Sequence, residues 1–316
     1  MKKIGFCGFW NNLDPENNYF TNLLRKYYTV EISDDPDYLF CSVFSNQYVY
    51  NEKAVRIFYT GECQTPDFNL VDYALGFDRI EFGDRYCRLP IYLLYGEDLL
   101  REAIERNGMR SNPQYRERFC SFIYSNPNAD SVRTEFFNQM SSKIHIDSGG
   151  RYMNNIGKTV DDKVEFEKNY RFSVAFENYA YPGYMSEKIL QAFAAGTVPI
   201  YWGDPGVDQV LNSRSFVNIS RYSSIAEAVG AIVEINNDRD KYLSMVSEPI
   251  CYDGNDESIK LQQNKAELFI KGIFDRPKDE VFRRNKGLRG KNYERFFRRY
   301  SKIDECLRSI RDMVRR

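Results

Sequence analysis

An α/β chain of two Rossmann-like halves, followed by a basic helical tail, is the fold class that the sequence predicts. Three observations predict it. Short apolar runs rich in Val, Ile, Phe and Tyr alternate with amphipathic helical runs in both halves. A charged stretch from Glu97 to Arg118, with Gly108, Pro113 and little periodicity, separates the two sets. Past Phe282, apolar residues recur at three- and four-residue steps among Lys and Arg. The 316 residues exceed what one core usually fills, so two domains are expected.

Taken in order, KKIGFCGFW reads as a strand and ENNYFTNLLRKY as a helix with Phe20, Leu23 and Leu24 on one face. TVEIS, DYLFCSVF and AVRIFYTGE are further short strands, and such alternation predicts a parallel sheet. After the linker, RFCSFIYSN, KIHIDS, RFSVAFEN and TVPIYWG read as strands. ADSVRTEFFNQMSSK, DDKVEFEKNY and SEKILQAFAAG are the helices between them. DPGVDQVL, SFVNIS and IAEAVGAIVEIN complete the second half. The expected boundaries are 1–115, 116–281 and a tail at 282–316. Ligands of such sheets bind at the carboxyl ends of the strands.

With 42% hydrophobic and 28% charged residues, the composition is that of a soluble globular chain. The net charge of -1 conceals an asymmetry. The tail holds 13 of the 44 basic residues and 4 of the 45 acidic ones, leaving 31 against 41 in the body. The seven cysteines are odd in number, scattered and without a C-x-x-C pair, which predicts reduced thiols rather than a disulfide framework or a zinc site. MKKIGFCGFW is too short and polar for a secretory leader, and no apolar run approaches a bilayer's thickness. A cytoplasmic location is expected on these grounds, and the sequon at Asn218 is read as accidental.

The most informative stretch is FENYAYPGYMSEKILQAFAAGTVPIYWGD, from Phe176 to Asp204. A polar, aromatic loop leads from one strand into a short helix, with Ser186 expected as N-cap and Gly196 as its terminator. Helix N-termini attract anions, phosphate above all, and Lys188 adds a full charge. A plain helix with a polar start is the competing reading. The loop is neither a Walker A nor a G-x-G-x-x-G motif, which disfavours a standard NTP or NAD site.

These residues resemble the signature of the α1,3/α1,4-fucosyltransferases, F-E-N-S/T, then Y-x-T/S-E-K, a helix, A/S-G-x-x-P-I/V and Y-W-G. Three further blocks are similar in the same order. They are VRIFYTGECQTPDFNLVDYALGFDRIEFGDRYCRLPIYL at residues 55–93, FCSFIYSNPNA at 119–129 and GGRYMNNIG at 149–157. The resemblance implies the type B glycosyltransferase fold, two Rossmann-like domains facing across a cleft. It implies an inverting transfer of L-fucose from GDP-fucose to the GlcNAc of a galactose-β1,4-GlcNAc glycan, giving a Lewis X-like product.

Such a transfer needs a grip on the nucleotide, positive charge for the departing diphosphate and a base for the acceptor hydroxyl. The one histidine, His145, lies in the alternating run KIHIDSG and is read as structural rather than catalytic. The resemblance makes Glu62, at a strand end in FYTGEC, the general base. A solvated strand-end charge is its plain reading. Arg151, after Gly149-Gly150, matches a donor-phosphate arginine, and guanidinium suits phosphate geometry. Tyr184, Glu187 and Lys188 match positions that contact GDP-fucose, with Glu187 on the ribose. Glu177 and Asn178 match the FEN motif near the fucose. Glu177 could equally be a structural carboxylate bonding the loop backbone, and Asn126 could equally be a turn former.

The chain departs from the pattern with Tyr179 in place of Ser or Thr and Met185 between Tyr184 and Ser186. No metal site is expected, because the D-x-D at Asp35-Pro36-Asp37 lies far from the other motifs and Arg and Lys can serve the diphosphate. No cofactor is required beyond the co-substrate, with a divalent metal at most stimulatory. The tail's stripe of Tyr293, Phe296, Phe297, Tyr300, Ile303, Leu307, Ile310 and Val314 reads as attachment to an anionic membrane surface, at the inner face of the membrane. Packing on the acidic body competes with that, and no nucleic-acid-binding module accompanies the charge. Two further function classes stand beside the transferase. One is a type B enzyme using another nucleotide sugar. The other is a non-catalytic, membrane-peripheral glycan-binding protein.

Overall fold

The computed structural model describes residues 1–94, 99, 101–104, 115–252, 257–284 and 287–314. Two compact units emerge. The first comprises Met1–Leu89 together with Gln262–Arg316, and the second comprises Pro90–Leu261. This moves the expected boundaries. The first unit ends near residue 89 rather than 115, and the chain rejoins it at Gln262 rather than staying in the second unit to 281. Most of the expected linker at 97–118 lies outside the described residues.

The first unit carries a six-stranded sheet. Its strands are β1 (Lys2–Cys7), β2 (Val30–Ile32), β3 (Tyr38–Cys41), β4 (Val55–Tyr59), β5 (Tyr73–Gly76) and β6 (Tyr86–Arg88). The order is β2-β1-β3-β4-β5-β6 and every pairing is parallel, as the alternation predicts. Register runs Ile4↔Tyr38, Tyr38↔Val55, Ile57↔Tyr73 and Ala74↔Tyr86. β5 and β6 carry no sequence expectation. YALG and YCR are too short to display a period, and only the neighbouring strand's hydrogen bonds make them strands. Helix α1 (Tyr19–Arg25) starts where the Asn18 side chain accepts from the amides of Phe20 and Thr21, and it buries Phe20, Leu23 and Leu24 as expected.

The second unit carries β7 (Arg118–Phe122), β8 (Asp147–Ser148), β9 (Tyr170–Phe176), β10 (Val198–Trp202) and β11 (Val217–Asn218). Their order is β11-β10-β9-β7-β8, again all parallel. The intervening helices are α2 (Val132–Ser141), α3 (Lys163–Glu167), α4 (Lys188–Ala194), α5 (Ile225–Asn237) and α6 (Arg239–Ser247). β9 is buried along its whole length, Arg171 and Ser173 included, as befits a central parallel strand. Phe122, Phe136, Phe172, Ile200 and Ile232 meet in its core.

The C-terminal segment is part of the first unit's core. In α7 (Glu257–Asp275), Phe274 stacks on Tyr38 of β3 at 4.3 Å between centroids. After the short α8 (Lys278–Val281), four charged side chains meet in the interior: Arg56, Asp72, Arg284 and Glu294. Arg284 pairs with Asp72, and Arg56 with Glu294 at 2.7 Å. Two cations and two anions neutralise one another where lone charges would be prohibitive.

Helix α9 (Leu288–Val314) splits the expected tail stripe. Glu294 and Ser301 are buried, Phe297 packs against the core, and the Tyr293 hydroxyl donates to Asp67 at 2.6 Å. Phe296, Tyr300 and Ile303 turn outward, 68%, 50% and 60% exposed. Leu307, Ile310 and Val314 have side chains outside the described set. Among the described residues, no helix is long and apolar enough to cross a membrane.

One buried acid in the second unit has a measurable consequence. Glu167, at the end of α3, is fully buried, with the Lys163 ammonium 3.9 Å away and no hydrogen bond to either carboxylate oxygen among the described residues. Burial weakens it as an acid, raising its pKa from 4.5 to about 7 against the pull of Lys163. A raised folded-state value means stability that is full below about 4.5 and lost as pH rises through about 7. The 2.5-unit difference corresponds to roughly 3 kcal/mol. Urea denaturation at pH 5.5 and 8 should show the decline, and Glu167→Gln should remove this part of the slope. An unchanged slope in the variant would refute the assignment.

Candidate active site

The second unit gathers its candidate residues at one edge. Asn126 follows β7, Arg151 follows β8 and Glu177 follows β9, so all three lie past the carboxyl ends of adjacent parallel strands. This is where a sheet of this topology leaves a ligand site. His145 precedes β8 and so belongs to the opposite edge, where its Nε2 lies 3.1 Å from Asp147. That placement fits its reading as structural.

Glu177 is fully buried and its carboxylate is saturated from the loop. One oxygen accepts the Ser186 amide at 2.7 Å. The other accepts the Ser186 hydroxyl at 2.7 Å and the Lys188 ammonium at 3.1 Å. Of the two readings open for Glu177, this geometry is that of the structural carboxylate, which leaves no oxygen facing solvent. Lys188 also donates to the Ser186 hydroxyl at 2.9 Å. Burial pulls the ammonium toward neutrality, but the carboxylates of Glu177 and Glu187 together outweigh it, so the affinity of Lys188 for its proton is raised.

Ser186 is therefore not the N-cap. Glu187 occupies the cap of α4 without a side-chain cap bond, because the Ser186 hydroxyl is engaged by Glu177. Glu187 is half-buried beside Lys188. Tyr184 is 2% exposed, so its ring packs within the loop instead of presenting a face to solvent. Its amide donates to the Tyr181 carbonyl at 3.0 Å. Gly183 holds φ +88°, a left-handed conformation suited to glycine, and its amide donates to Asp204 at 2.8 Å. Asp204 also takes the Gly206 amide at 2.9 Å, pinning the YPGY loop to the turn after β10.

Arg151 is exposed. The Gly149-Gly150 pair before it is set by packing. A Cβ on Gly150 would lie 1.9 Å from the Tyr124 carbonyl oxygen, so this glycine lets the loop after β8 press against the end of β7. The Tyr152 amide donates to that same carbonyl at 2.9 Å. Asn126 is exposed and its side chain accepts the Asn128 amide at 2.9 Å, the geometry of a turn former.

Sequence reasoning missed Arg133, in the first turn of α2 and 1% exposed. Its guanidinium donates to the carbonyls of Asn126 at 3.2 Å and Glu177 at 3.1 Å, and to the Asn178 side chain at 2.9 Å. It lies 4.0 Å above the Tyr124 ring. The Tyr124 hydroxyl in turn accepts the Phe176 amide at 2.6 Å. A signal existed in the chain: a cation in a helix's first turn opposes the dipole and needs a compensating reason. Asp204 offered no such signal.

In the first unit, Glu62 follows β4 and is exposed. Its amide donates to the Thr60 hydroxyl at 2.9 Å, and its carbonyl accepts the Gln64 amide at 2.7 Å, which shapes a tight loop just past the strand's carboxyl end. Asp37 of the D-x-D pairs with Lys278 at 2.5 Å. No group of three or more His, Cys, Asp or Glu side chains suited to a metal occurs among the described residues.

Residues 4–95 match the model of the alpha-(1,3)-fucosyltransferase FucT N-terminal domain, and residues 113–247 match that of the glycosyltransferase family 10 (fucosyltransferase) C-terminal domain. The alpha-(1,3)-fucosyltransferase FucT of Helicobacter pylori is 32% identical over 287 residues, 78% of this chain and 59% of that protein. The human 4-galactosyl-N-acetylglucosaminide 3-alpha-L-fucosyltransferase 9 is 28% identical over 133 residues, 41% of this chain and 36% of its own length. The chain thus spans well under two thirds of these relatives. A crystal structure of an α1,3-fucosyltransferase with GDP-fucose superposes with a TM-score of 0.69 at 29% identity, covering 85% of this chain and 90% of that one.

Proposed function

The chain belongs to the α-(1,3)-fucosyltransferase family, glycosyltransferase family 10, and we propose that it transfers L-fucose from GDP-fucose to the GlcNAc of N-acetyllactosamine-type glycans with inversion. The observation that carries this reading is the buried Glu177–Ser186–Lys188 cluster beside the carboxyl ends of β7, β8 and β9, with Arg151 exposed at the same edge. A fully charged lysine locked in place and a solvent-facing guanidinium suit a diphosphate.

In this reading Glu62 takes the proton from the acceptor hydroxyl as its oxygen attacks fucose C1. The bond from C1 to the GDP oxygen breaks on the opposite face. Arg151 and Lys188 stabilise the negative charge that gathers on the leaving diphosphate. Glu187, half-buried at the start of α4, takes the ribose hydroxyls in this reading. Glu177 acts by holding Lys188, Asn178 by holding the loop, Tyr184 by packing it and Asn126 by turning the chain after β7. No metal enters this scheme, since side-chain cations supply the charge. The acceptor assignment is supported by the human relative, whose name specifies a 4-galactosyl-N-acetylglucosaminide.

The test is transfer from GDP-fucose to N-acetyllactosamine by the wild type and by Glu62→Gln, with donor affinity measured on both. The variant should lose roughly 10²–10⁴-fold in kcat, the range of a general base, and keep its donor affinity. Wild-type protein that binds donor but transfers nothing would refute the acceptor. Protein that does not bind GDP-fucose would refute the donor.

An anionic membrane surface is the proposed docking partner of α9. Phe296, Tyr300 and Ile303 are exposed on the side that carries Arg295, Arg299 and Lys302, while the opposite side is buried. Each basic residue near such a surface contributes about 1 kcal/mol. Replacing Arg295, Arg299 and Lys302 with Gln should abolish flotation with phosphatidylglycerol vesicles at low salt. Unchanged flotation would argue against this face.

A further inference from the structure

Arg133 belongs to no part of the scheme above, yet it is a fully buried cation one turn from the donor-side loops. Burial of a guanidinium demands compensation, and here none of its hydrogen bonds goes to a carboxylate oxygen. Its acceptors are three backbone carbonyls and one side-chain amide. They come from two different loops: Asn126 after β7, and Phe176, Glu177 and Asn178 after β9. A single planar fork thus ties together two strand ends that are joined by nothing local in sequence.

The residue that Arg133 grips by its carbonyl is the residue whose carboxylate grips Lys188. Glu177 leaves β9 with its amide bonded to the Trp202 carbonyl at 2.8 Å and its carbonyl bonded to Arg133 at 3.1 Å. With both backbone groups held, the direction of its side chain is determined. That direction delivers the carboxylate to the Ser186 amide, the Ser186 hydroxyl and the Lys188 ammonium. Asn178, held by Arg133 at 2.9 Å, also accepts the Asp130 amide on its carbonyl at 2.9 Å, which closes the second loop onto the start of α2.

Resting on the donor reading of this site, we propose that Arg133 is its positioning residue: it fixes the backbone at Glu177, and through the Glu177 carboxylate it places the Lys188 ammonium for the donor diphosphate. The fork geometry is what matters. An ammonium at position 133 keeps the charge but cannot reach carbonyls in two loops and the Asn178 amide oxygen at once. Arg133 does not touch the donor in this account, and its effect on binding vanishes when Lys188 is absent.

The experiment is a double-mutant cycle read by calorimetric titration of GDP into the protein: wild type, Arg133→Lys, Lys188→Ala and the double variant. Arg133→Lys should weaken GDP binding roughly tenfold or more, the scale of one charge-assisted hydrogen bond. In the Lys188→Ala background the same change should cost less than twofold. The KM for the acceptor should not move. Equal losses in both backgrounds would overturn the relay and leave a merely structural arginine. Full GDP affinity in Arg133→Lys would overturn the requirement for the fork. If Arg133→Lys does not fold, Asn178→Ala enters the same cycle, since it removes one acceptor of the fork at a half-buried position. Wild-type protein that binds no GDP would overturn the donor reading itself, an outcome distinct from an additive cycle.

Discussion

Asp72→Ala is expected to destabilise the first unit by about 3–5 kcal/mol, the cost of leaving a buried partner charge uncompensated. Asp72 is fully buried and serves four donors. One oxygen accepts the amides of Arg283 at 2.7 Å and Arg284 at 2.8 Å. The other accepts the Arg56 amide at 2.8 Å and pairs with the Arg284 guanidinium. Alanine would strand the guanidinium and three backbone donors in an interior that water does not reach. Urea denaturation, with hydrogen exchange followed at β4, reads the effect. A loss under about 1 kcal/mol would show that the cluster is not what secures the C-terminal segment. Combining Asp72→Ala with Arg284→Met should recover part of the loss, because an apolar replacement of both partners removes the stranded charge. The prediction also bears on the tail. A chain cut after 281 loses both Arg284 and Glu294, so it should be less stable than Asp72→Ala.

Glu177→Gln is expected to weaken GDP binding by roughly ten- to a hundredfold, as the loss of a hydrogen bond to a charged group does. It should also introduce a pH dependence that the wild type lacks. In the wild type the carboxylates of Glu177 and Glu187 raise the proton affinity of Lys188 above its ordinary value despite burial. The ammonium therefore persists through pH 9, and its contribution to GDP binding is flat. Remove the Glu177 carboxylate and burial, the largest influence on Lys188, favours the neutral amine against the remaining pull of Glu187. The lysine of the variant then loses its proton as pH rises, and GDP affinity should fall between pH 7 and 9. Titrations at pH 7, 8 and 9 decide the matter. A variant whose affinity stays parallel to the wild type across that range would show that Glu177 does not govern the charge on Lys188.

Much of the fold was legible because parallel α/β units advertise themselves. β9 reads as a strand from its Phe, Val and Ala residues despite Arg171 and Ser173, since both of its faces are covered, and α4 announces itself by Ile189, Leu190 and Phe193. The site was legible in part. Lys188 stood out as a cation at the start of a helix, whereas Glu177 and Arg151 were marked by the resemblance. The hydroxyl of Ser186 was assigned to the helix cap because local rules favour serine there. A buried carboxylate nine residues earlier in the chain outcompetes the cap, and no local rule contains it. Arg133 was passed over for the same reason: its acceptors stand up to 45 residues away in the chain.

The sequence by itself determined the two parallel sheets, their helices, the edge at which Asn126, Arg151 and Glu177 collect, and the resemblance that names the chemistry. The sheets and helices follow from periodicity and composition, which are properties of neighbours along the chain, whereas the resemblance rests on the motif residues themselves. Only the tertiary structure decided that residues 262–314 complete the first unit, that the amphipathic tail divides into a buried side and an exposed side, and that Glu177 faces Lys188 instead of solvent. Each of those outcomes depends on which distant group arrives to neutralise a charge or cover a face. Arg56 meets Glu294 across 238 positions of chain, a pairing that desolvation enforces once both are buried and that no local pattern records.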